Sequence, residues 1–103
     1  MAGWKFKDAK NLAVISTRKI FGRDGWIAYV SHDVEDISWQ FYGNEAEVDQ
    51  DELILVGLVE IVELDETVEQ LADLPLGWHA WRDTKTSPWK RGKMPPEPPE
   101  STN

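Results

Sequence analysis

Leu12-Ala13-Val14-Ile15-Ser16-Thr17 is a short run of β-prone residues, which predicts a first strand. Gly22-Arg23-Asp24-Gly25 supplies a turn signal, and Trp26-Ile27-Ala28-Tyr29-Val30-Ser31 reads as a second strand. The two are expected to pair antiparallel, connected through Arg18 to Gly25. His32 to Asp36 is polar and acidic and reads as a loop. Ile37, Trp39 and Phe41 then alternate with polar residues. That period of two marks a strand over 37–43 with these three side chains on its core face.

Leu53 to Leu64 is dense in apolar residues. Leu55, Leu58, Val59 and Val62 would share one helical face, but the β-branched content and Gly57 oppose a continuous helix. The expectation is an extended start over 53–56 followed by a short helix over 58–63. Asp65 suits a helix N-cap, with Glu66 and Glu69 in the first turn where the dipole favours negative charge. Val68, Leu71, Ala72 and Leu74 form the apolar stripe, and Pro75 with Gly77 stops the helix. Trp78 to Arg82 is the last predicted strand, and Met94 to Pro99 is a polyproline stretch. The fold class is therefore α+β: a small, mostly antiparallel sheet with one or two short helices packed on one face. Residues 1–11 are expected as a loose lead-in whose rings, Trp4 and Phe6, tuck onto the body. Residues 12–90 form the single domain, and 91–103 a disordered proline-rich tail.

Composition sharpens this. A chain of 103 residues supports one core. The absence of cysteine excludes a disulfide framework, a zinc finger and thiol catalysis together. The N-terminal ten residues hold lysines but no apolar leader, and no window has 18 uninterrupted apolar residues. A cytoplasmic protein without a membrane span is expected. There are six tryptophans. Trp26, Trp39 and Trp81 are assigned to the core by their strand positions, and Trp4, Trp78 and Trp89 to partial exposure.

The net charge of −8 is unevenly distributed. Residues 1–23 hold six bases against Asp8, residues 24–81 hold fifteen acids and no lysine or arginine, and residues 82–103 are again weakly basic. A middle without bases is unsuited to phosphate contact, so nucleic acid is not expected as a partner. A basic protein is, unless the acidic middle simply pairs with the basic ends of its own fold.

Candidate chemistry is sparse. Glu45, Glu47, Asp49 and Asp51 imitate the first half of a calcium loop, but Gln50 and Val56 stand where that loop needs glycine and glutamate. No metal or cofactor is expected. His32 and His79 are far apart, and His79, read as pointing away from the tryptophans on either side, suits a surface or satisfied role. Ser38 lacks the context of a nucleophile elbow. No motif assigns an enzymatic activity or a catalytic residue.

Several of these features, in order, resemble the immunity protein 33 family of small bacterial proteins associated with polymorphic toxin systems. The resemblance covers about residues 12–83 and runs through Asp36, Trp39, Phe41, Gly43 and Glu45, then Asp65. It continues through Leu71, Leu74, Pro75 and Gly77 and closes on Trp81 and Arg82. Two departures stand out: Ile37-Ser38 replaces the family's Ser-Gly, and Trp78 replaces a small residue after the turn. The resemblance implies a cytoplasmic antidote that binds and neutralises a toxin. With the charge pattern, it makes Glu45, Glu47, Asp49 and Asp51 candidates for steering a basic partner, and Trp78 the candidate anchor. Two alternatives stay open. One is a ligand-sensing or regulatory module with an aromatic pocket lined by Trp39 and Trp81; the other is a small carboxylate-dependent hydrolase.

Overall fold

The first strand, β1 (Ala13–Thr17), does not pair with the strand that follows it. A computed structural model describes residues 3–34, 38–44 and 49–95. Along the chain come β2 (Tyr29–Asp33), β3 (Ser38–Tyr42), β4 (Leu53–Gly57), helix α1 (Leu58–Leu64), β5 (Trp78–Trp81) and β6 (Lys90–Lys93). The described strands form one six-stranded sheet in the order β4-β1-β3-β2-β5-β6. Only β1 and β3 run parallel; the other four neighbouring pairs are antiparallel. The α+β class is thus as the pattern predicted, but the β1–β2 pairing is replaced. A 3-10 turn at Arg18–Phe21 carries the chain away from β1, and β3 takes the place beside it.

Alternation decides the core. Val14, Val30, Trp39, Phe41 and Ala80 point to one face, where they meet Leu58 and Ile61 of α1 and Val68 and Leu71 of a 3-10 helix, Glu66–Leu71. Asp65 caps that 3-10 helix by accepting from the Thr67 N–H at 3.0 Å, as its sequence position predicted. Strand β4 passes directly into α1. The first two amide groups of α1, at Leu58 and Val59, donate to the carbonyls of Leu12 and Lys10 at 2.9 Å, so the helix start is satisfied by the chain entering β1. Pro75-Leu76-Gly77-Trp78 is a turn closed by the Trp78 N–H on the Pro75 carbonyl at 3.1 Å. Its third residue, Gly77, has φ +87°, a conformation that glycine adopts without strain.

Both ends of the domain extend further than expected. Phe6 is buried edge-on to Trp39, with ring centroids 5.2 Å apart, and Trp39 Nε1 donates to Asp8 Oδ2 at 2.8 Å. The lead-in is therefore part of the core. At the other end, Lys90–Lys93 pairs along the whole of β5, so the sheet passes the boundary expected at residue 90. The predicted tail beyond Pro95 lies outside the described residues. The loop expected from His32 begins two residues late, because His32 and Asp33 pair with Trp39 and Ser38 inside the sheet.

Candidate functional site

The strand residues between the buried ones point to the sheet's opposite face. Register places Leu53, Thr17, Tyr42, Tyr29, Trp81 and Lys90 in one row across it, from β4 to β6. Leu55, Ile15, Gln40, Ser31, His79 and Gly92 form the next row. The described helices pack on the core face and none covers this second one, where Leu55 and Trp81 are exposed while Thr17 and Ser31 are buried among their neighbours. It is aromatic at its centre. The Tyr29 and Tyr42 rings stack with centroids 6.5 Å apart and an interplanar angle of 20°. His79 stands edge-on to Tyr29 at 5.5 Å and to Trp81 at 5.1 Å. Trp81 is 36% exposed and its ring reaches over Gly92.

A polar network holds these rings. The Tyr42 hydroxyl donates to Gln40 Oε1 at 2.5 Å, and Gln40 Nε2 donates to Asp33 Oδ2, which also lies 3.5 Å from the Ser31 hydroxyl. The Tyr29 hydroxyl and His79 Nδ1 are joined at 2.9 Å. Burial raises the pKa of both phenols, and the nearby Asp33 charge adds to the shift. The tyrosines therefore stay neutral at physiological pH and present uncharged π faces. With Asp33 on the same face, this is an aromatic and electron-rich surface suited to contact with a cationic or aromatic group.

Of the residues singled out earlier, Asp49 accepts from the Asp51 N–H at 2.9 Å, and both are exposed just before β4. Glu45, Glu47 and Asp36 lie outside the described residues. Trp78 has the partial exposure expected of it. It lies half-buried on the core face, opposite His32 in register. It also begins β5 at the end of the sheet opposite to Asp49 and Asp51, four strand spacings away, or about 19 Å. Asp49 and Asp51 therefore do not form one patch with Trp78. Trp81, assigned to the core, is the exposed ring instead, because small Ala80 takes the inward phase of β5. The other core assignments divide: Trp39 is 1% exposed and Trp26 half-buried.

Trp39 and Trp81 sit on opposite faces, so the pocket expected between them does not form. A cleft of about 330 Å³ opens instead at the end of β3, lined by Lys19, Asp24, Trp26, Asn44 and neighbouring glycines. His79 shares the face of Trp81 rather than pointing away from it. His32 stacks on Trp39 at 3.8 Å, and its Nδ1 faces the Leu74 carbonyl at 2.7 Å. A carbonyl only accepts, so Nδ1 carries the hydrogen and His32 is a satisfied histidine. Among the described residues, no group of three or more histidines and acids is placed to hold a metal.

No family model, curated protein or solved structure matches the chain. The family-pattern residues are nevertheless placed by the fold. Trp39 and Phe41 fill the core, Asp65 and Arg82 form an ion pair, and Pro75 with Gly77 makes the turn before β5. Gly43 lines the cleft and Trp81 lies on the open face. The open-face residues Tyr29, Asp33, Gln40 and Tyr42 were not singled out from sequence. Their signal was the polar phase of the same alternation that revealed Trp39 and Phe41.

Proposed function

We propose that this chain is a non-enzymatic protein-binding domain of the immunity-protein kind, a cytoplasmic antidote that neutralises a basic toxin by seating it on the open sheet face. The observation that carries this reading is the row Tyr42, Tyr29 and Trp81 on a face that no described helix covers, with Asp33 beside it. Tyrosine and tryptophan are the residue types that concentrate binding energy at protein interfaces. The net charge of −8 adds long-range attraction for a basic partner, to which Asp49 and Asp51 contribute at one end of the sheet.

The test is co-expression with candidate basic toxins drawn from the genes around this one, paired with a binding measurement on the purified proteins. The wild-type chain is expected to restore growth. The double variant Tyr29→Ala, Trp81→Ala is expected to lose protection and bind at least tenfold more weakly, equivalent to about 1.4 kcal/mol or more. Unchanged affinity in that variant overturns the open face as the interface. A ligand-sensing module is the second reading, favoured by the cleft beside Trp26, and saturable binding of a small molecule there would support it.

A further inference from the structure

Strand β4 ends the described sheet on one side and β6 on the other. The two edges differ in kind. Strand β6 reads Lys90-Arg91-Gly92-Lys93, and charged side chains, lysine above all, are what discourage an edge from accepting another strand. Strand β4 reads Leu53-Ile54-Leu55-Val56-Gly57, with no charge and no proline, and pairs with β1 over five consecutive residues without a bulge. Leu55, at its centre, is 70% exposed, the highest exposure of any large apolar side chain described.

The backbone shows what this edge offers. The Leu58 N–H donates inward to Leu12. Because antiparallel bonding alternates, Val56 and Ile54 also face β1, and Leu53, Leu55 and Gly57 face outward. Two of the outward amide groups are already used: Gly57 N–H donates to Glu60 Oε2 at 2.9 Å, and Leu53 N–H to the Gln50 carbonyl. The Gly57 carbonyl is used too, because the carbonyl of a helix N-cap accepts the first intrahelical bond of α1. Among the described residues the open set is therefore two carbonyls, at Leu53 and Leu55, and one donor, the Leu55 N–H. The edge is short of donors.

From this we infer that β4 is a strand-addition site for an extended segment of a basic protein, and that it does not serve to pair two copies of this chain. A second copy would bring the same shortage of donors and the same net charge of −8. A strand from another protein brings its own unused N–H groups to the two carbonyls and receives the Leu55 N–H in return. Apolar side chains on every second residue of that strand would cover Leu53 and Leu55. The approach to β4 holds Asp49, Asp51 and Glu52 against Arg18 and Lys19 at the end of β1. A lysine or arginine at that end of the incoming segment meets a net negative surface. The inference rests on the protein-binding reading but names a different surface from the open-face rings.

The experiment uses a fluorescent seven-residue peptide that alternates valine and threonine and ends in two lysines, titrated into the full chain by anisotropy. Antiparallel addition brings its C-terminal lysines to Asp49–Glu52. Valines that lie beside Leu53 and Leu55 point their N–H groups at β4, whereas the threonine N–H groups point away. N-methylation of the valines is expected to weaken binding at least tenfold, and N-methylation of the threonines to leave it within twofold. Leu55→Lys, at a position whose exposure leaves the fold intact, is expected to weaken the unmodified peptide at least tenfold. Absence of saturable binding, equal loss from both methylated peptides, or a dimer by sedimentation that Leu55→Lys dissociates would each overturn the inference. The double variant Tyr29→Ala, Trp81→Ala is expected to keep peptide binding, so failure at the edge and failure at the open face are separately visible.

Discussion

Arg82 Nη2 lies 2.5 Å from Asp65 Oδ2, an ion pair whose arginine side chain is 1% exposed and whose aspartate is 16% exposed. The guanidinium is also held by the Ile27 carbonyl through Nε at 2.9 Å and by the Thr67 hydroxyl through Nη1 at 3.1 Å. Trp89 covers it at 4.2 Å and donates its own N–H to the same hydroxyl. One side chain thus ties the 3-10 helix, the lead into β2 and the end of β5 together. Asp65→Ala strands a buried cation and is expected to cost about 3–5 kcal/mol in urea unfolding. Arg82→Lys keeps the charge but loses the planar fork, and is expected to fall between the wild type and Asp65→Ala.

The same pair gives the protein an acid limb. Burial pushes the Asp65 carboxyl up, but hydrogen bonds from Thr67 and Arg82 and the arginine charge more than offset it, and the net shift is downward. A carboxyl with a depressed folded-state pKa is protonated first in the unfolded chain. Its stabilisation is complete above the ordinary aspartate value and is lost as pH falls below about 4. Unfolding curves collected over that range are expected to show this loss in the wild type, with a smaller slope in Asp65→Asn.

Titration of the open face runs the other way. Burial, then the Asp33 charge, raises both Tyr29 and Tyr42 above the ordinary phenol. Their contribution to stability is complete below about pH 10 and is lost as pH rises through the raised folded-state values. Phenolate absorbance should show two tyrosines titrating late. Asp33→Asn is expected to bring both midpoints down without restoring them fully, since burial is the larger cause.

Residues before β1 carry weight in the fold. Phe6→Ala removes a buried ring that packs on Trp39 and is expected to cost about 3–5 kcal/mol. Asp8→Ala removes the acceptor of the Trp39 indole and is expected to cost about 1–3 kcal/mol. Thermal unfolding of the two variants checks both values, and no effect from Phe6→Ala would return this segment to a loose lead-in.

Local pattern revealed what local physics controls. The alternation through Trp39 and Phe41, the extended-to-helical change at Gly57 and the cap at Asp65 all stand in the sequence as spacing, and the structure has each of them. Pairing is a different matter. Nothing in residues 12–31 indicates that β1 takes β3 and β4 as neighbours, because that choice depends on contacts across the whole domain. Strand β6 escaped notice because Lys90-Arg91-Gly92-Lys93 has no apolar phase; its place comes from β5 offering an edge. Period two shows which residues of β5 share a face, but not which face is inside. Ala80 settled that against Trp81, and with it the position of the open-face rings.

The sheet order also sets a timetable for synthesis. Strand β1 is made first, yet both of its neighbours, β3 and β4, follow it, and the last of its β4 partners is Gly57. The β2–β3 hairpin needs only its own short span. On the ribosome, therefore, β1 emerges before either neighbour has been made, and Val14 and Ile15 have no strand partner until β3 follows. The strand at the centre of the sheet's β4 side is thus completed only when residue 57 has been made.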